Sequence, residues 1–187
     1  SDEPIARTGV YNLPVKISEP DLEDYTADVA TARRSAMLSD VKNMSSVVFE
    51  SGDIETVLDV DGTARFYLAN DLSLNQEINH PKSTYLYRNE GDNGKLTFGP
   101  IWDFDWGYGY EGSSSYCYNG ATSSVIKLTM DASGFWSDLT GNEVFKKHYY
   151  RVWKEFIGNN SITELNEYID SYYNFAKNSF QNNANEW

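Results

Sequence analysis

A strand–turn–strand pattern near the middle of the chain places the strongest constraint on its fold. The runs STYLYR (residues 83–88) and KLTFGPIWDFDW (residues 95–106) are typical of strands. The intervening NEGDNG contains the glycines that a hairpin connection favours. The sequence therefore predicts a long antiparallel hairpin over residues 83–106.

Two carboxylates lie within an aromatic run at the far end of this predicted hairpin. Asp103 and Asp105 alternate with Trp102, Phe104 and Trp106. In an extended strand successive side chains point to opposite faces, so both carboxylates would face one way and the three aromatic rings the other. We expect Trp102 and Trp106 to belong to the core, and Asp103 to be positioned by the hydrogen bonds of the strand pair.

Periodic apolar residues predict helices before the hairpin. One long helix or two shorter ones should begin near Asp21 and end at the SGD tripeptide of residues 51–53. A second helix is predicted over residues 59–75, with Asp61 as its N-cap and with a buried stripe formed by Phe66, Tyr67, Leu68 and Leu72.

Two capping-box spacings predict two closing helices after the hairpin. These are Thr140 with Glu143 and Ser161 with Glu164, each ahead of an apolar-periodic run. Together with a short strand within residues 9–18, the pattern predicts an α+β fold that is mostly helical and has a central β-hairpin.

Composition limits the class of protein. A chain of 187 residues with 40% hydrophobic content is expected to form a single domain over residues 1–187. The net charge of −13 disfavours duplex nucleic acid and anionic membranes as partners, because both require clustered basic residues. No run of 18 apolar residues predicts a transmembrane helix. A basic protein or peptide partner is allowed by this charge, and the oligomeric state stays open.

Several short motifs look like cofactor or metal sites but lack the features that such sites require. The GxGxxG match at residues 107–112 runs into a serine-rich stretch, whereas a phosphate-binding version opens a helix. The DVDG sequence of residues 59–62 lacks the later ligands of a calcium loop. His80, His148 and Cys117 have no ligand-type neighbours at zinc-site spacing.

Carboxylate chemistry remains as a candidate. Asp71 and Asn75 end a predicted helix, and Asp103 and Asp105 end the predicted hairpin. Oxygen ligands of this kind suit Mg²⁺ or Mn²⁺ carrying phosphate, and an Asp near an Asn can orient a hydroxyl for phosphoryl transfer. Taken alone, the residues favour a structural interpretation, in which Asp71 is a solvated helix residue, Asn75 a C-cap and the aspartates part of a loop.

The sequences YLANDLSLN and STYLYRNEGDNGKLTFGPIWDFDWGYGY resemble the core of the CotH kinase family, the spore coat protein H group. Members of that family carry an acidic residue and an Asn, a following YLY strand and a G-P-x-W-D-F-[ND] block. The early VKISEPDLED, the terminal NEW and the spacing of Trp136, Phe145, Arg151 and Trp153 are also similar. The resemblance implies an atypical protein-kinase-like C-lobe that transfers phosphate from ATP to Ser or Thr of proteins.

The resemblance also implies roles for individual residues. Asp71 would occupy the catalytic-base position. Asn75 and Asp103 would contact the metal and the nucleotide phosphates, with Asp105 as a second acidic metal ligand. Relatives with a STYLYK hairpin show Glu where Asp71 stands and Asp where Glu77 stands, so both Asp71 and Glu77 are candidates for the catalytic base.

Two further expectations follow from the resemblance. The family's small lobe, with its nucleotide-binding Lys, should precede GVYNL, and residues 1–8 cannot supply it; we therefore expect a kinase domain without its N-terminal lobe and with little activity alone. The implied location is extracellular, at the bacterial cell surface or the spore coat. The alternative function is a secreted, non-catalytic module that binds polysaccharide or a partner protein.

Overall fold

A computed structural model describes residues 6–75, 78, 83–88, 94–104, 107 and 133–186. Its strands are β1 (Ala6–Arg7), β2 (Pro14–Val15), β3 (Leu86–Tyr87) and β4 (Thr97–Phe98). Its helices are α1 (Ala27–Phe49), α2 (Val60–Leu72), α3 (Ser133–Gly141), α4 (Glu143–Gly158) and α5 (Ser161–Glu186), with short 3-10 turns at Leu22–Asp24 and Ile54–Thr56. The predicted α+β, mostly helical fold is confirmed.

The chain divides into two compact units, residues 1–149 and residues 150–187. The first unit contains both strand pairs, α1, α2, α3 and the beginning of α4. The second contains the rest of α4 and α5, and Ala176 is the buried residue of α5 among the side chains that the structure describes. Among the described residues, no helix combines the length and the hydropathy that a membrane span requires.

The first predicted helix is confirmed as one long helix after a short 3-10 turn. Its end coincides with the predicted stop: Ser51 has a positive φ of 54°, and the Gly52 N–H donates to the Val47 carbonyl at 2.8 Å. Gly suits this place because a Cβ at Gly52 would lie only 3.2 Å from Val47 Cγ1.

The N-cap predicted for α2 was wrong. Asp59, not Asp61, caps the helix, since its Oδ1 accepts from the Gly62 N–H at 3.0 Å. Asp61 instead pairs with Arg65 one turn later, at 3.1 Å. The physical reason is a long-range bond: the Asp59 N–H donates to the Leu96 carbonyl at 2.9 Å, which fixes Asp59 at the helix entrance.

The hairpin exists, but it is shorter than predicted. Leu86 pairs with Phe98 and Tyr87 with Thr97, and β4 then ends at a cis Gly99–Pro100 bond. Pro100 has no N–H to continue the ladder, so the extended run predicted beyond it was wrong. Asp103 has a positive φ of 61° and lies outside β4, so it is not positioned by ladder hydrogen bonds.

Trp102 was also wrongly predicted to belong to the core, because 59% of its surface is exposed. The loss of strand geometry after Phe98 removes the alternation on which that prediction rested. Trp106 and Asp105 lie outside the described residues, so the predictions for them stay predictions.

An aromatic core joins the hairpin to α2 and α3. The Phe98 ring lies 5.6 Å from Phe66 and 4.9 Å from Trp136, measured between centroids. Trp136 is 1% exposed, and its Nε1–H donates to the Ile78 carbonyl at 3.0 Å. An isolated bridge between Leu96 and Leu58 fixes the residue before β4 close to the start of α2. The hairpin therefore packs on α2.

Three helices, rather than the two predicted, close the described chain. Thr140 lies inside the unpredicted helix α3 and donates to the Trp136 carbonyl at 2.7 Å. Asn142 replaces it as the cap of α4, since its Oδ1 accepts from the Val144 N–H at 2.9 Å. Helix α5 begins at Ser161 itself, one residue earlier than the predicted capping box implies.

Candidate active site at the end of helix α2

Helix α2 ends in a Schellman turn that positions Asn75. The Leu74 N–H donates to the Asp71 carbonyl at 3.1 Å, and the Asn75 N–H donates to the Asn70 carbonyl at 2.9 Å. Leu74 occupies the left-handed position with φ 54°, where glycine is the usual residue. The turn therefore brings Asn75 back over the last turn of α2.

Asn70 and Asn75 form a buried amide pair in this turn. Asn75 Nδ2 donates to Asn70 Oδ1 at 3.0 Å, and Asn70 Nδ2 donates to the Phe66 carbonyl at 2.9 Å. The two residues are 3% and 1% exposed. Schellman turns commonly make an apolar contact at these two positions, so the polar pair is a departure from the usual packing. Sequence reasoning missed Asn70, although the five-residue spacing to Asn75 was a readable signal.

Asp71 is held from a distant helix. Its Oδ2 accepts from the Tyr149 hydroxyl at 2.7 Å, and its Oδ1 is buried with no hydrogen-bond partner among the described residues. Burial, together with the charge of Asp71, raises the pKa of nearby Tyr67 from 10.0 to about 12. Sequence reasoning missed Tyr149, because nothing local to α4 marks a contact with α2.

Asp103 is exposed and is bound by Ser83. The Ser83 hydroxyl donates to Asp103 Oδ2 at 3.1 Å. Both residues have left-handed backbone angles, with φ of 53° and 61°. Asp tolerates this conformation better than most residues, because its short polar side chain bonds locally. The Ser83 contact was not predicted.

A narrow crevice brings together the end of α2 and the segments that flank the hairpin. Gly107 follows the Asp103 segment, and its N–H donates to the Phe104 carbonyl at 2.9 Å. A Cβ at Gly107 would lie 3.1 Å from the Ser73 carbonyl oxygen, so this segment packs directly against the end of α2. The crevice is lined by Phe66, Asn70, Asn75, Ile78, Ser83, Thr84, Trp102 and Phe104.

The crevice unites some of the predicted site residues and not others. Asn75 lines it directly, and so do Ser83, the partner of Asp103, and the two chain neighbours of Asp103. Asp71 is one turn away and does not line it. Glu77 and Asp105 lie outside the described residues.

The residues present fit a cation that is held mainly by phosphate. The described part of the chain has no cluster of three or more His, Cys, Asp or Glu side chains, so it offers no all-protein metal cage. Mg²⁺ commonly uses one or two carboxylates and takes further oxygens from phosphates and water. The exposed Asp103 carboxylate and the Asn75 amide oxygen are donors of that kind.

Comparison with known families assigns the class of this domain. The family model described as CotH kinase protein matches residues 15–187, nearly the whole chain, and identifies this part as kinase-like. The chain belongs to the CotH kinase family. Searches among curated proteins and among solved structures gave no significant match.

Proposed function

We propose that this domain is part of an ATP-dependent protein kinase that uses Mg²⁺ or Mn²⁺ and phosphorylates Ser or Thr of a secreted or surface protein. The observation that carries the proposal is the CotH match, together with a crevice that is lined by Asn75 and by Ser83, the hydrogen-bond partner of Asp103. Phosphoryl transfer depends chiefly on positioning and charge neutralisation, which groups of this type supply.

Asp103 is proposed as the main metal ligand, with Asp105 and the Asn75 amide oxygen as further ligands. A bound cation would neutralise charge on the phosphate oxygens. Asn75 suits this role because its amide nitrogen is already engaged by Asn70, which fixes the orientation of the group. Asn75 and Asp103 are accordingly the proposed contacts to the nucleotide.

The proposed catalytic base is Asp71 or Glu77. In the reaction the substrate hydroxyl oxygen attacks the γ-phosphorus, its proton passes to the base, and the bond to the ADP oxygen breaks. For Asp71, the buried Oδ1 without a described partner is an acceptor that such a hydroxyl would satisfy. Asp71→Asn and Glu77→Gln, assayed side by side, separate the two: removal of the base should lower kcat by about 10²- to 10⁴-fold.

The substrate proposed is a protein outside the cytoplasm, at the cell surface or in the spore coat, as the family resemblance implies. The net charge of −13 favours a protein partner over nucleic acid or an anionic membrane. The same charge should attract basic segments of a protein substrate and repel acidic ones, with an effect that weakens as salt is added.

Calorimetric titration of Mn²⁺, with and without a non-hydrolysable ATP analogue, tests the metal site. Asp103→Asn should lose most of the Mn²⁺ affinity while its melting temperature stays near that of the parent, because Asp103 is exposed. Asp28→Asn, an exposed substitution in α1 that removes the same charge, is the matched control. Equal Mn²⁺ affinity in Asp103→Asn and the parent would end the assignment.

A second candidate function is a non-catalytic binding module. Tyr85, Tyr87 and Trp102 are exposed to 39%, 44% and 59%, and exposed aromatic rings can stack on sugars or pack on a partner protein. This alternative predicts that Trp102→Ala abolishes binding to polysaccharide while Mn²⁺ affinity is unchanged. The kinase proposal predicts no retention on polysaccharide for the parent.

A further inference from the structure

We propose that Ser83 is a positioning residue, which holds the Asp103 carboxylate in the orientation that a divalent cation requires. This inference rests on the proposed function, because it assumes that Asp103 is a metal ligand. Ser83 is not among the groups that would touch the cation or the substrate, so its effect acts through Asp103.

The first support is the placement of the two residues on the hairpin. Ser83 precedes β3 and Asp103 follows β4, so in this antiparallel pair both residues lie beyond the same end, the one formed by Leu86 and Phe98. The pairing of Leu86 with Phe98 fixes the separation of the two arms. A hydroxyl and a carboxylate that lie 20 residues apart are thereby brought to 3.1 Å.

The second support is the backbone at both residues. Ser83 and Asp103 both leave the extended region, with φ of 53° and 61°. Neither residue is glycine, so each carries the cost of a left-handed conformation. Such conformations persist where the surroundings determine them, and here the two side chains bond to each other.

The third support is the chemistry of the Asp103 carboxylate. Among the described residues, the recorded hydrogen bond to this side chain comes from Ser83 and reaches Oδ2. That bond restrains rotation of an exposed carboxylate. The Asp103 carboxylate is then already oriented before the cation binds, which reduces the conformational entropy lost on binding. Hydrogen-bond partners of metal ligands commonly change metal affinity by about 10- to 100-fold when they are removed.

Two substitutions at Ser83 test the role without forcing the backbone. Ser83→Gly removes the hydroxyl and tolerates a positive φ, and Ser83→Asn supplies an N–H donor at a residue type that also tolerates a positive φ. Ser137→Ala, an exposed serine of α3, is the matched control. The measurement is Mn²⁺ affinity by calorimetry in the presence of a non-hydrolysable ATP analogue, with melting temperatures recorded without metal.

Ser83→Gly is expected to raise the Kd for Mn²⁺ by about 10-fold or more. Ser83→Asn should bind Mn²⁺ more tightly than Ser83→Gly, and Ser137→Ala should match the parent. A merely structural bond would instead lower the melting temperature of Ser83→Gly and leave its Kd equal to that of the parent, which would overturn the inference.

The same experiment distinguishes this inference from the proposed function. If the parent binds Mn²⁺, Asp103→Asn does not, and Ser83→Gly binds like the parent, then the metal site stands and the role of Ser83 falls. If the parent does not bind Mn²⁺, or if Asp103→Asn binds it as tightly as the parent does, then both the metal site and the role of Ser83 fall.

Discussion

The Tyr149 hydroxyl and the Asp71 carboxylate are joined by a 2.7 Å hydrogen bond, which links α4 to the last turn of α2. The Tyr149 ring also packs on Tyr67, with centroids 5.6 Å apart. Asp71 is therefore oriented by an element that lies far from it in sequence. If Asp71 is the catalytic base, Tyr149 sets which of its two oxygens meets the substrate.

Tyr149→Phe should destabilise the fold. The substitution keeps the ring and removes the donor, so the half-buried Asp71 carboxylate loses its hydrogen-bond partner at a cost of about 1 to 3 kcal/mol. Urea unfolding measures the change in the free energy of unfolding. Tyr150→Phe, at a residue that is 61% exposed, is the control and should differ from the parent by less than about 0.5 kcal/mol. Equal stabilities for the two variants would contradict the prediction.

The two tryptophans Trp136 and Trp102 should respond oppositely to truncation. Trp136→Ala opens a cavity at a residue that is 1% exposed, and it should cost about 3 to 5 kcal/mol. Trp102→Ala removes a ring that is largely in solvent and should cost less than about 1 kcal/mol. Thermal unfolding followed by circular dichroism compares them. A large loss of stability in Trp102→Ala would contradict this prediction and would show that Trp102 contributes to the core.

The cap of α2 should be sensitive to a methyl group at Gly62. Asp59→Ala removes the cap and should cost about 1 kcal/mol. Gly62→Ala should also destabilise, although Ala favours helices, because the new Cβ would collide with the Asp59 carboxylate and lie 3.1 Å from Thr97 Cγ2.

The double variant checks the mechanism proposed for this cap. In the Asp59→Ala background, the Gly62→Ala change should cost less than it does alone, since one of the two close contacts is gone. Urea unfolding of the four proteins gives the coupling. Additive costs would show that the collision with Asp59 does not matter.

Tyr67 should make stability depend on pH in the alkaline range. Its pKa is raised from 10.0 to about 12 by burial and by Asp71, so the folded state favours the neutral hydroxyl. The stability that the neutral Tyr67 hydroxyl contributes is fully present below pH 10 and is lost as the pH rises from 10 toward 12. Tyr67→Phe should therefore lose less stability than the parent between pH 9 and pH 11.

Other tyrosines do not obscure this comparison. Burial and the hydrogen bond to Asp138 also raise the pKa of Tyr11, but that effect is present in both proteins and cancels in their difference. Urea unfolding at the two pH values gives the required free energies. The same loss of stability in parent and variant would contradict the role of Tyr67.

Local signals in the sequence were sufficient for much of the fold. The end of α1 near Ser51 and the start of α5 at Ser161 follow from stop and start residues that act within one turn. The glycine-rich turn between the two strand patterns correctly predicted that β3 and β4 would pair. The motif of the CotH family identified Asn75 and Asp103 as candidates, and the structure places Asn75 and the chain around Asp103 at one crevice.

Long-range contacts account for what the sequence did not predict. Asp59 became the N-cap because Leu96 binds its N–H, and no pattern around Asp59 contains that information. The contact between Tyr149 and Asp71 is of the same kind. The early end of β4 differs, because Pro100 was a local signal that the aromatic alternation outweighed in the prediction.

The Schellman turn that places Asn75 also governs how readily the candidate site opens. The Asn75 N–H is bound to Asn70, whose side chain is anchored to Phe66 in the aromatic core. The turn therefore belongs to the same cooperative unit as that core rather than to a fraying helix end. The Asn75 amide proton should exchange with solvent deuterium only when this unit opens as a whole. The geometry at Asn75 therefore persists for as long as the core stays folded.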